Sequence, residues 1–370
     1  MNKERLIHEF IELVAIDAPS FKERRMADTL SKKLADIGFI VTEDTAGQSY
    51  GSDCGNLYGY LKGTLPGEPL LFSAHMDTVP PAHGKCALLQ EDGRITSAGD
   101  TVLGADDVAG IVAILEAIRS LREEGIEHRS IEVLFPIAEE PYAKGSSLFD
   151  YSQVRAKEAY VLDLDGKVGR AAYTAPSILT FVATIQGRAS HAGFAPEAGI
   201  HSIAIAAAAI SKLRLGRVDE ITTVNVGKIE GGKATNIIPE DCRIEGELRS
   251  FRHENALSYL NEIKQIFVKE AESAGATLHW NETINCIAYE TDTEERVAKR
   301  YRKACEEAGV QVEFVKTFGG SDYNVFATKG ISGLVLSNAM NKVHSCEEYT
   351  EAEELITSTQ IVRNLMTSTW

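Results

Sequence analysis

The chain has 370 residues, of which 44% are apolar and 25% charged, a composition that excludes disorder along the whole chain. The 54 acidic residues outnumber the 38 lysines and arginines, and the net charge of −16 disfavours nucleic acid or an anionic membrane as a partner. No apolar run is long enough to span a bilayer, and the charged first residues do not resemble a signal peptide.

The six cysteines are spread along the chain, and no two of them form a CxxC pair. In a chain of this length, that distribution is typical of reduced thiols rather than of a disulfide framework. We therefore predict a cytoplasmic protein.

The first part of the chain alternates helix and strand patterns. Apolar residues at helical spacing predict a helix over 3–15 and a second helix that ends at Gly38, and a long helix is predicted to begin near Asp106. The predicted strands of this part are 56–61, 70–74, 131–137 and 160–164. This alternation predicts an α/β domain with a mostly parallel or mixed sheet, covered by helices on both faces.

The pattern changes near Pro176 and becomes typical of an antiparallel α+β unit. Its predicted strands are 177–186, 222–229, 242–251 and 278–286, and its predicted helices are 203–213 and 254–273. The α/β pattern then returns, with helices at 292–308, 322–329 and 351–366 and strands at 312–315 and 331–336. We therefore predict two domains, one formed by 1–176 and 288–370 and the other, 177–287, inserted into it.

Histidine and acidic residues follow several of the predicted strands. They are His75 and Asp77 after 70–74, Asp106 and Asp107 at a helix start, Glu139 and Glu140 after 131–137, Asp163 and Asp165 at the end of 160–164, and His344 near the C-terminus. Each group alone has an ordinary explanation as a helix cap, a polar loop or a surface histidine. Together they indicate metal binding, because imidazole and carboxylate groups suit zinc, or cobalt and manganese less selectively.

The number of these ligands exceeds what one tetrahedral zinc ion needs. Two metal ions that share a carboxylate fit the set better, as in hydrolases whose metals lie about 3.5–4 Å apart. Asp77 lies two residues after His75 on the same strand face, so it is placed to orient that imidazole.

An ordered set of motifs carries a family resemblance over nearly the whole chain. The motifs are SAHMDTVP, GADDVAG, AEEP, LDLDG, GRASHAGFAPEAG, GGKATNIIP, GELRSF, FGGSDYNVF and VHSCEE. On these motifs the chain resembles the M20 metallopeptidases, and within them the peptidase T-like branch. The resemblance implies a zinc-exopeptidase catalytic domain with a mixed sheet and an inserted ferredoxin-like α+β lid domain.

The same resemblance implies two Zn²⁺ ions per chain, with Co²⁺ or Mn²⁺ as possible substitutes. The implied metal ligands are His75, Asp106, Glu140, Asp165 and His344. Asp106 would bridge both ions, and a cis peptide is expected between Asp106 and Asp107. The acid before Gly166 matches the remaining ligand of the first ion, which favours Asp165 and leaves Asp163 as the alternative.

Further roles are implied for residues around the metals and in the lid. Glu139 matches the general base that takes a proton from water, and Asp77 matches the residue that orients a ligand. His191 would donate to the developing oxyanion, and Arg249 would pair with a substrate carboxylate. Asn236 is the third implied substrate-binding residue.

These expectations favour a metallopeptidase that cleaves short peptides, most similar to a tripeptide aminopeptidase. An N-acyl amino acid deacylase or a carboxypeptidase of the same fold is the alternative among enzymes, since the ligand set does not distinguish them. A catalytically silent metal-binding or scaffold protein is the alternative from another class. The small-residue helix near 203–210 is a candidate surface for a homodimer formed through the lid; otherwise it only covers the lid's own sheet.

Overall fold

The computed structural model describes residues 1–369, and these divide into two compact units. The first unit contains Met1–Thr174, Glu290–Thr317 and the residues from Ser321 onward, and the second contains Ala175–Tyr289 and Phe318–Gly320. The predicted insertion, 177–287, lies within the observed segment, 175–289. In the described part of the chain, no helix combines the length and apolar character needed to cross a membrane.

The elements are numbered in chain order. The helices are α1 (Lys3–Val14), α2 (Arg24–Ile37), α3 (Ala105–Glu124), α4 (Lys144–Leu148), α5 (Ser202–Ile210), α6 (His253–Ser273), α7 (Arg296–Glu307), α8 (Tyr323–Thr328) and α9 (Ala352–Met366). The strands are β1 (Ile40–Glu43), β2 (Leu57–Leu61), β3 (Leu70–Ser73), β4 (Ala87–Leu89), β5 (Arg94–Ser97), β6 (Ile131–Phe135), β7 (Glu158–Leu164), β8 (Arg170–Ala175), β9 (Ser177–Gln186), β10 (Ser190–His191), β11 (Gly216–Arg217), β12 (Thr222–Gly231), β13 (Ile237–Ile238), β14 (Asp241–Ser250), β15 (Thr277–Cys286), β16 (Tyr289–Glu290), β17 (Glu313–Lys316), β18 (Ser332–Ser337), β19 (Met340–Asn341) and β20 (Tyr349–Glu351).

The first unit is built on a mixed sheet with the strand order β1-β2-β6-β3-β7-β18-β8-β16, and β17 pairs with β8. β3 runs parallel to both β6 and β7, and β18 runs parallel to β7, whereas β1 and β2 are antiparallel. Every residue of β3 and β6 is buried, which explains their nearly continuous apolar sequences. The predicted mixed-sheet α/β class is confirmed.

Helix α3 is the buried helix of the first unit and packs against α1, α9 and β7. It ends at Gly125, whose left-handed φ of 66° closes the helix, and its side chains from Val108 to Ile118 are buried. Each fully buried leucine or isoleucine in such a helix contributes about 1.5–3 kcal/mol. A Cβ atom on Gly110 would lie 2.7 Å from the Leu162 carbonyl oxygen, so glycine permits the close approach of α3 to β7.

The second unit has an antiparallel sheet in the order β11-β12-β14-β9-β15. Helices α5 and α6 pack on each other and on this sheet. The core includes Phe181 and Phe267, and the partly buried Trp280 packs against it, with the rings of Phe181 and Trp280 stacked at a centroid distance of 5.0 Å. Buried and more exposed residues alternate along most of β9, as predicted for a strand with one buried face. This unit is the predicted α+β insert.

Candidate metal centre

The chemistry-bearing residues meet at the carboxyl ends of the parallel strands of the first unit. His75 follows β3, Glu139 and Glu140 follow β6, and Asp163 lies next to the last residue of β7. The first turn of α3 supplies Asp106. In open α/β sheets this edge is the usual ligand-binding position, because the strands end there and their loops diverge.

Asp106 faces one histidine with each of its carboxylate oxygens. Its Oδ1 lies 3.0 Å from Nε2 of His75, and its Oδ2 lies 3.2 Å from Nε2 of His344. The same Nε2 of His344 is 3.1 Å from Oε2 of Glu140. These separations approach the ~3.3 Å between neighbouring ligand atoms around a tetrahedral ion with bonds of about 2.0–2.1 Å.

Two groups of potential ligands share Asp106. One consists of His75, Asp106 and Asp163, the other of Asp106, Glu140 and His344, and within each group the ligand atoms lie within 4.8 Å of one another. Each group offers three nitrogen or oxygen ligands and leaves a coordination position for water, which is the pattern of catalytic rather than structural zinc sites.

The buried carboxylates of this cluster favour a positive charge close to them. Burial raises the pKa of Glu139, Glu140 and Asp163 above the ordinary values, and neighbouring carboxylates raise these pKa values further. Hydrogen bonds to Asp106 and Glu140 raise the pKa of His344 to about 11. The buried Oε1 of Glu140 has no hydrogen-bond partner, a costly state for a carboxylate oxygen. Divalent cations fit this set of nitrogen and oxygen ligands, and they would supply the positive charge that the buried carboxylates favour.

Asp77 fixes the orientation of His75. Nδ1 of His75 lies 3.0 Å from the Asp77 carbonyl oxygen and 3.3 Å from its Oδ1, so we assign the ring proton to Nδ1. With a proton on Nδ1, Nε2 would be left to bind a cation held beside Asp106. Asp77 also accepts the backbone N–H groups of Glu139 and Glu140, through Oδ1 and Oδ2 respectively. One carboxylate thus holds both the imidazole and the Glu139–Glu140 segment in place.

Asp107 supports the cluster from the other side. Its Oδ2 accepts the N–H of His75 at 3.1 Å, and its Oδ1 accepts a hydrogen bond from Nδ2 of Asn338 at 2.6 Å. The peptide bond between Asp106 and Asp107 is cis, so the expected cis peptide is confirmed. Neither the role of Asp107 nor that of Asn338 is predicted by the sequence, in which Asp107 is simply the second acid of the GADD motif.

Two residues of the loop before α2 hold the segment that carries Glu139. Ser20 donates to Oδ2 of Asp77 at 2.7 Å, and Oε1 of the fully buried Glu23 accepts the Ala138 N–H at 2.9 Å. Ala138 has a φ of 47°, a strained conformation for a residue with a Cβ atom, and it leads directly into Glu139. Burial raises the pKa of Glu23 to about 7. Neither support is predicted from the sequence.

Comparisons with known proteins relate the chain to peptidases. Family models match at two places, the M20 peptidase dimerisation domain over residues 173–274 and peptidase family M28 over 56–207. The Bacillus subtilis protein YqjE is 37% identical over 98% of this chain and 97% of its own length. The crystal structure of aminopeptidase PepT from Bacillus cereus is 36% identical, with a TM-score of 0.92 over 99% of this chain and 98% of that one. A tripeptidase from Staphylococcus aureus is 31% identical, with a TM-score of 0.96 over the same shares of the two chains.

The chain belongs to the M20 peptidase family, in its peptidase T-like branch. It is therefore an enzyme that hydrolyses peptide bonds. The inserted second unit corresponds to the dimerisation domain of this family.

The choice of Asp165 as a ligand in this M20 peptidase needs correction. Strand β7 ends at Leu164, and Asp165 beyond it is exposed and outside both ligand groups. Asp163 still lies on the strand, and one of its oxygens is 4.0 Å from Nε2 of His75. The two acids do not share a strand face, because Asp165 lies beyond the end of β7.

This correction predicts different outcomes for two otherwise similar substitutions. We expect Asp163→Asn to lower the metal content of the purified protein and its peptidase activity, since it removes an anionic ligand. Asp165→Asn, at the exposed position two residues later, should leave both unchanged. Metal analysis of the two variants beside the wild type checks this, and a loss of metal from the Asp165 variant instead would reverse the assignment.

The predicted lid residues lie in the second unit. Strand β10 pairs with β13, and the N–H of Ala192 donates to the carbonyl oxygen of Asn236 at 3.0 Å, so His191 and Asn236 belong to neighbouring segments. Nδ1 of His191 accepts the N–H groups of Gly193 and Phe194, which assigns the proton of the neutral ring to Nε2.

Arg249 is held by residues of its own unit. Its Nε and Nη2 donate to the two carboxylate oxygens of Glu247, at 2.6 and 3.1 Å, and its Nη1 donates to the carbonyl oxygen of Phe318 at 2.6 Å. Arg249 thus makes a bidentate contact with Glu247, and its pairing with a substrate carboxylate stays a prediction. The GELRSF motif contains this partner, because residues two apart on a strand share a face.

Proposed function

We propose that this M20 peptidase is a dizinc exopeptidase that releases the N-terminal residue of short peptides, with tripeptides as its preferred substrates. The observation that carries the proposal is Asp106, whose two oxygens face His75 and His344 separately. The similarity to the Bacillus cereus aminopeptidase and the Staphylococcus aureus tripeptidase supports the peptide substrate. We place the activity in the cytoplasm.

In this proposal each zinc ion has one of the two ligand groups. His75, Asp106 and Asp163 hold the first ion, and Asp106, Glu140 and His344 hold the second. Co²⁺ and Mn²⁺ are chemically suitable substitutes, because the ligands are imidazole nitrogens and carboxylate oxygens. When bound, a pair of such ions supplies Lewis acidity that lowers the pKa of water toward neutrality and polarises the carbonyl group under attack.

Glu139 is the proposed general base. Its carboxylate is almost completely buried, and Asp77 holds its backbone N–H at 2.9 Å. Burial and the negative charge of Asp163 raise the pKa of Glu139, which suits a group that takes a proton from water and returns it to the leaving amine. Asp322, a buried acid that accepts a hydrogen bond from Ser146, adds a further negative charge near Glu139.

The second unit supplies the proposed substrate contacts. His191 presents Nε2–H as its free donor, the form needed to stabilise a developing oxyanion. Asn236 is a proposed substrate contact beside it. Arg249 contributes to substrate binding together with Glu247, and this ion pair suits a polar or zwitterionic group better than an isolated carboxylate. We also propose a homodimer formed through this unit, which the dimerisation-domain match supports.

A panel of short substrates tests the proposed specificity. We expect cleavage of tripeptides and dipeptides with a free amino terminus, loss of cleavage when that terminus is acetylated, and two zinc equivalents by metal analysis. Preferential hydrolysis of N-acyl amino acids would favour the deacylase instead, and release of the C-terminal residue would favour a carboxypeptidase. Two bound metals without hydrolysis of any substrate would favour the silent metal-binding protein.

A further inference from the structure

Glu348 is a buried carboxylate outside the two ligand groups, and it contacts the segment that presents Asp106. Its Oε1 accepts the N–H of Asp106 at 2.9 Å, and its Oε2 accepts the N–H of Gly104 at 2.7 Å. Only 1% of its surface is exposed. Both carboxylate oxygens are therefore committed to the backbone at the start of α3, where hydrogen bonds to an anion are strong.

The same residue anchors the turn that carries His344. This turn belongs to no helix or strand, and Lys342 and His344 have positive φ values of 53° and 60°. The imidazole of His344 is about half exposed, so packing around it holds it only weakly. Glu348 lies four residues later, and its own N–H donates to the Ser345 carbonyl oxygen at 3.1 Å. The buried Glu348 thus ties an exposed turn to the interior.

A buried lysine lies beside this contact. Lys85 is 3% exposed and donates from Nζ to Oγ1 of Thr78 at 2.9 Å. Its Nζ also lies against Gly104, at 2.9 Å from the position that a Cβ atom would occupy. The positive charge of Lys85 offsets the cost of burying the Glu348 carboxylate. Glycine at position 104 leaves room for the lysine side chain.

We infer that Glu348 is a positioning residue that sets the spacing between Asp106 and His344, the two ligands that meet at the second cation. It does so by hydrogen-bonding the backbone of one ligand and anchoring the turn of the other. The inference rests on the proposed pair of cations. Residues that orient metal ligands in this way typically contribute 10–100-fold to metal affinity.

Glu348→Gln provides the test, because glutamine keeps the size of the side chain but replaces one acceptor oxygen with an NH₂ group. Metal-free protein is titrated with Zn²⁺ by calorimetry, and metal content is measured after dialysis against a weak chelator. We expect the dissociation constant of one equivalent to rise about 10–100-fold, so that dialysed protein retains one equivalent where the wild type retains two. Excess Zn²⁺ should restore kcat.

Glu347→Gln is the matched control, since Glu347 is an exposed neighbour whose carboxylate pairs with Lys342 at the surface. It should bind two equivalents as the wild type does. Glu348→Asp, which keeps the charge but shortens the side chain, should fall between the wild type and Glu348→Gln. It also serves if the glutamine variant does not fold.

Thermal unfolding of the metal-free proteins separates positioning from a general structural role. A midpoint close to that of the wild type, with weakened binding of one equivalent, supports the inference. Unchanged zinc affinity in both Glu348 variants overturns it, and so does an equal loss of both equivalents accompanied by a lower metal-free midpoint. A wild type that binds two equivalents and cleaves no peptide would refute the proposed function alone.

Discussion

Glu139→Gln is expected to lower kcat by about 10²–10⁴-fold while the protein keeps both metal equivalents. Glutamine has the shape of glutamate but cannot take a proton from water. The hydrogen bond from the Glu139 N–H to Asp77 involves the backbone and survives the change. Steady-state kinetics on a tripeptide, together with metal analysis of the same preparation, measure the two properties.

The neighbouring residue supplies the contrast for this experiment. Glu140→Gln changes the same functional group one position later, but Oε2 of Glu140 lies 3.1 Å from Nε2 of His344 within a ligand group. We expect this variant to lose metal as well as activity. If Glu139→Gln also lost metal, or kept most of its activity, Glu139 would not be the general base.

Asp106→Asn is expected to have the second large effect, the loss of both cations. The carboxamide has one oxygen where Asp106 offers two, and it lacks the negative charge that both ligand groups share. Activity should fall by about 10³-fold or more, since the loss of metal removes several kcal/mol of transition-state stabilisation. Metal content near zero after dialysis is the direct measurement.

A stability measurement checks the same variant without any turnover. Binding to the folded state alone stabilises a protein by about 2.7 kcal/mol when free ligand is at 100 times its dissociation constant. Added Zn²⁺ should therefore raise the unfolding midpoint of the wild type and of the exposed control Asp165→Asn. The midpoint of Asp106→Asn should hardly move, and a rise equal to that of the wild type would contradict the bridging role.

The long helices at the start of the chain could be predicted from the sequence because each has one apolar face that is buried. The helix predicted over 3–15 is observed as Lys3–Val14, and the helix predicted to end at Gly38 does so with that glycine at a φ of 107°. In the central sheet, β1, β8 and β16 were not predicted, whereas β2, β3, β6, β7 and β18 were. Their nearly continuous apolar sequences require burial on both faces, and few other structures provide it.

The first unit also contains a four-stranded sheet in the order β19-β20-β5-β4, which was not predicted. Strands β4, β5, β19 and β20 have two to four residues each, and several of these residues are exposed, so no hydrophobic period develops. One helix start was also misplaced, since the helix predicted from 292 begins at Arg296. The side chain of Asp292 accepts the N–H of Glu294 and forms a turn that competes with the helix.

Most of the candidate metal ligands could be picked out from the sequence because histidine and acidic residues at strand ends are conspicuous between apolar strands. The residues that hold these ligands in place could not be predicted from the sequence. Glu348 lies 242 residues from the Asp106 N–H that it binds, and Asn338 lies 231 residues from Asp107. No local pattern encodes such contacts. The choice between Asp163 and Asp165 depended on the residue at which β7 ends, which is the least predictable property of a strand.

In the proposed two-ion site, the carboxylate of Asp106, which both ligand groups share, has a consequence for how the protein takes up divalent metal. A ligand that serves two ions makes their binding events interdependent, so the uptake isotherm is not the sum of two independent curves. Thermodynamic reciprocity then applies: the factor by which one occupied position changes affinity at the other must be the same in both directions. The sign of a single coupling free energy then decides whether metal loading is cooperative or anticooperative. Asp106 is the proposed structural origin of that coupling.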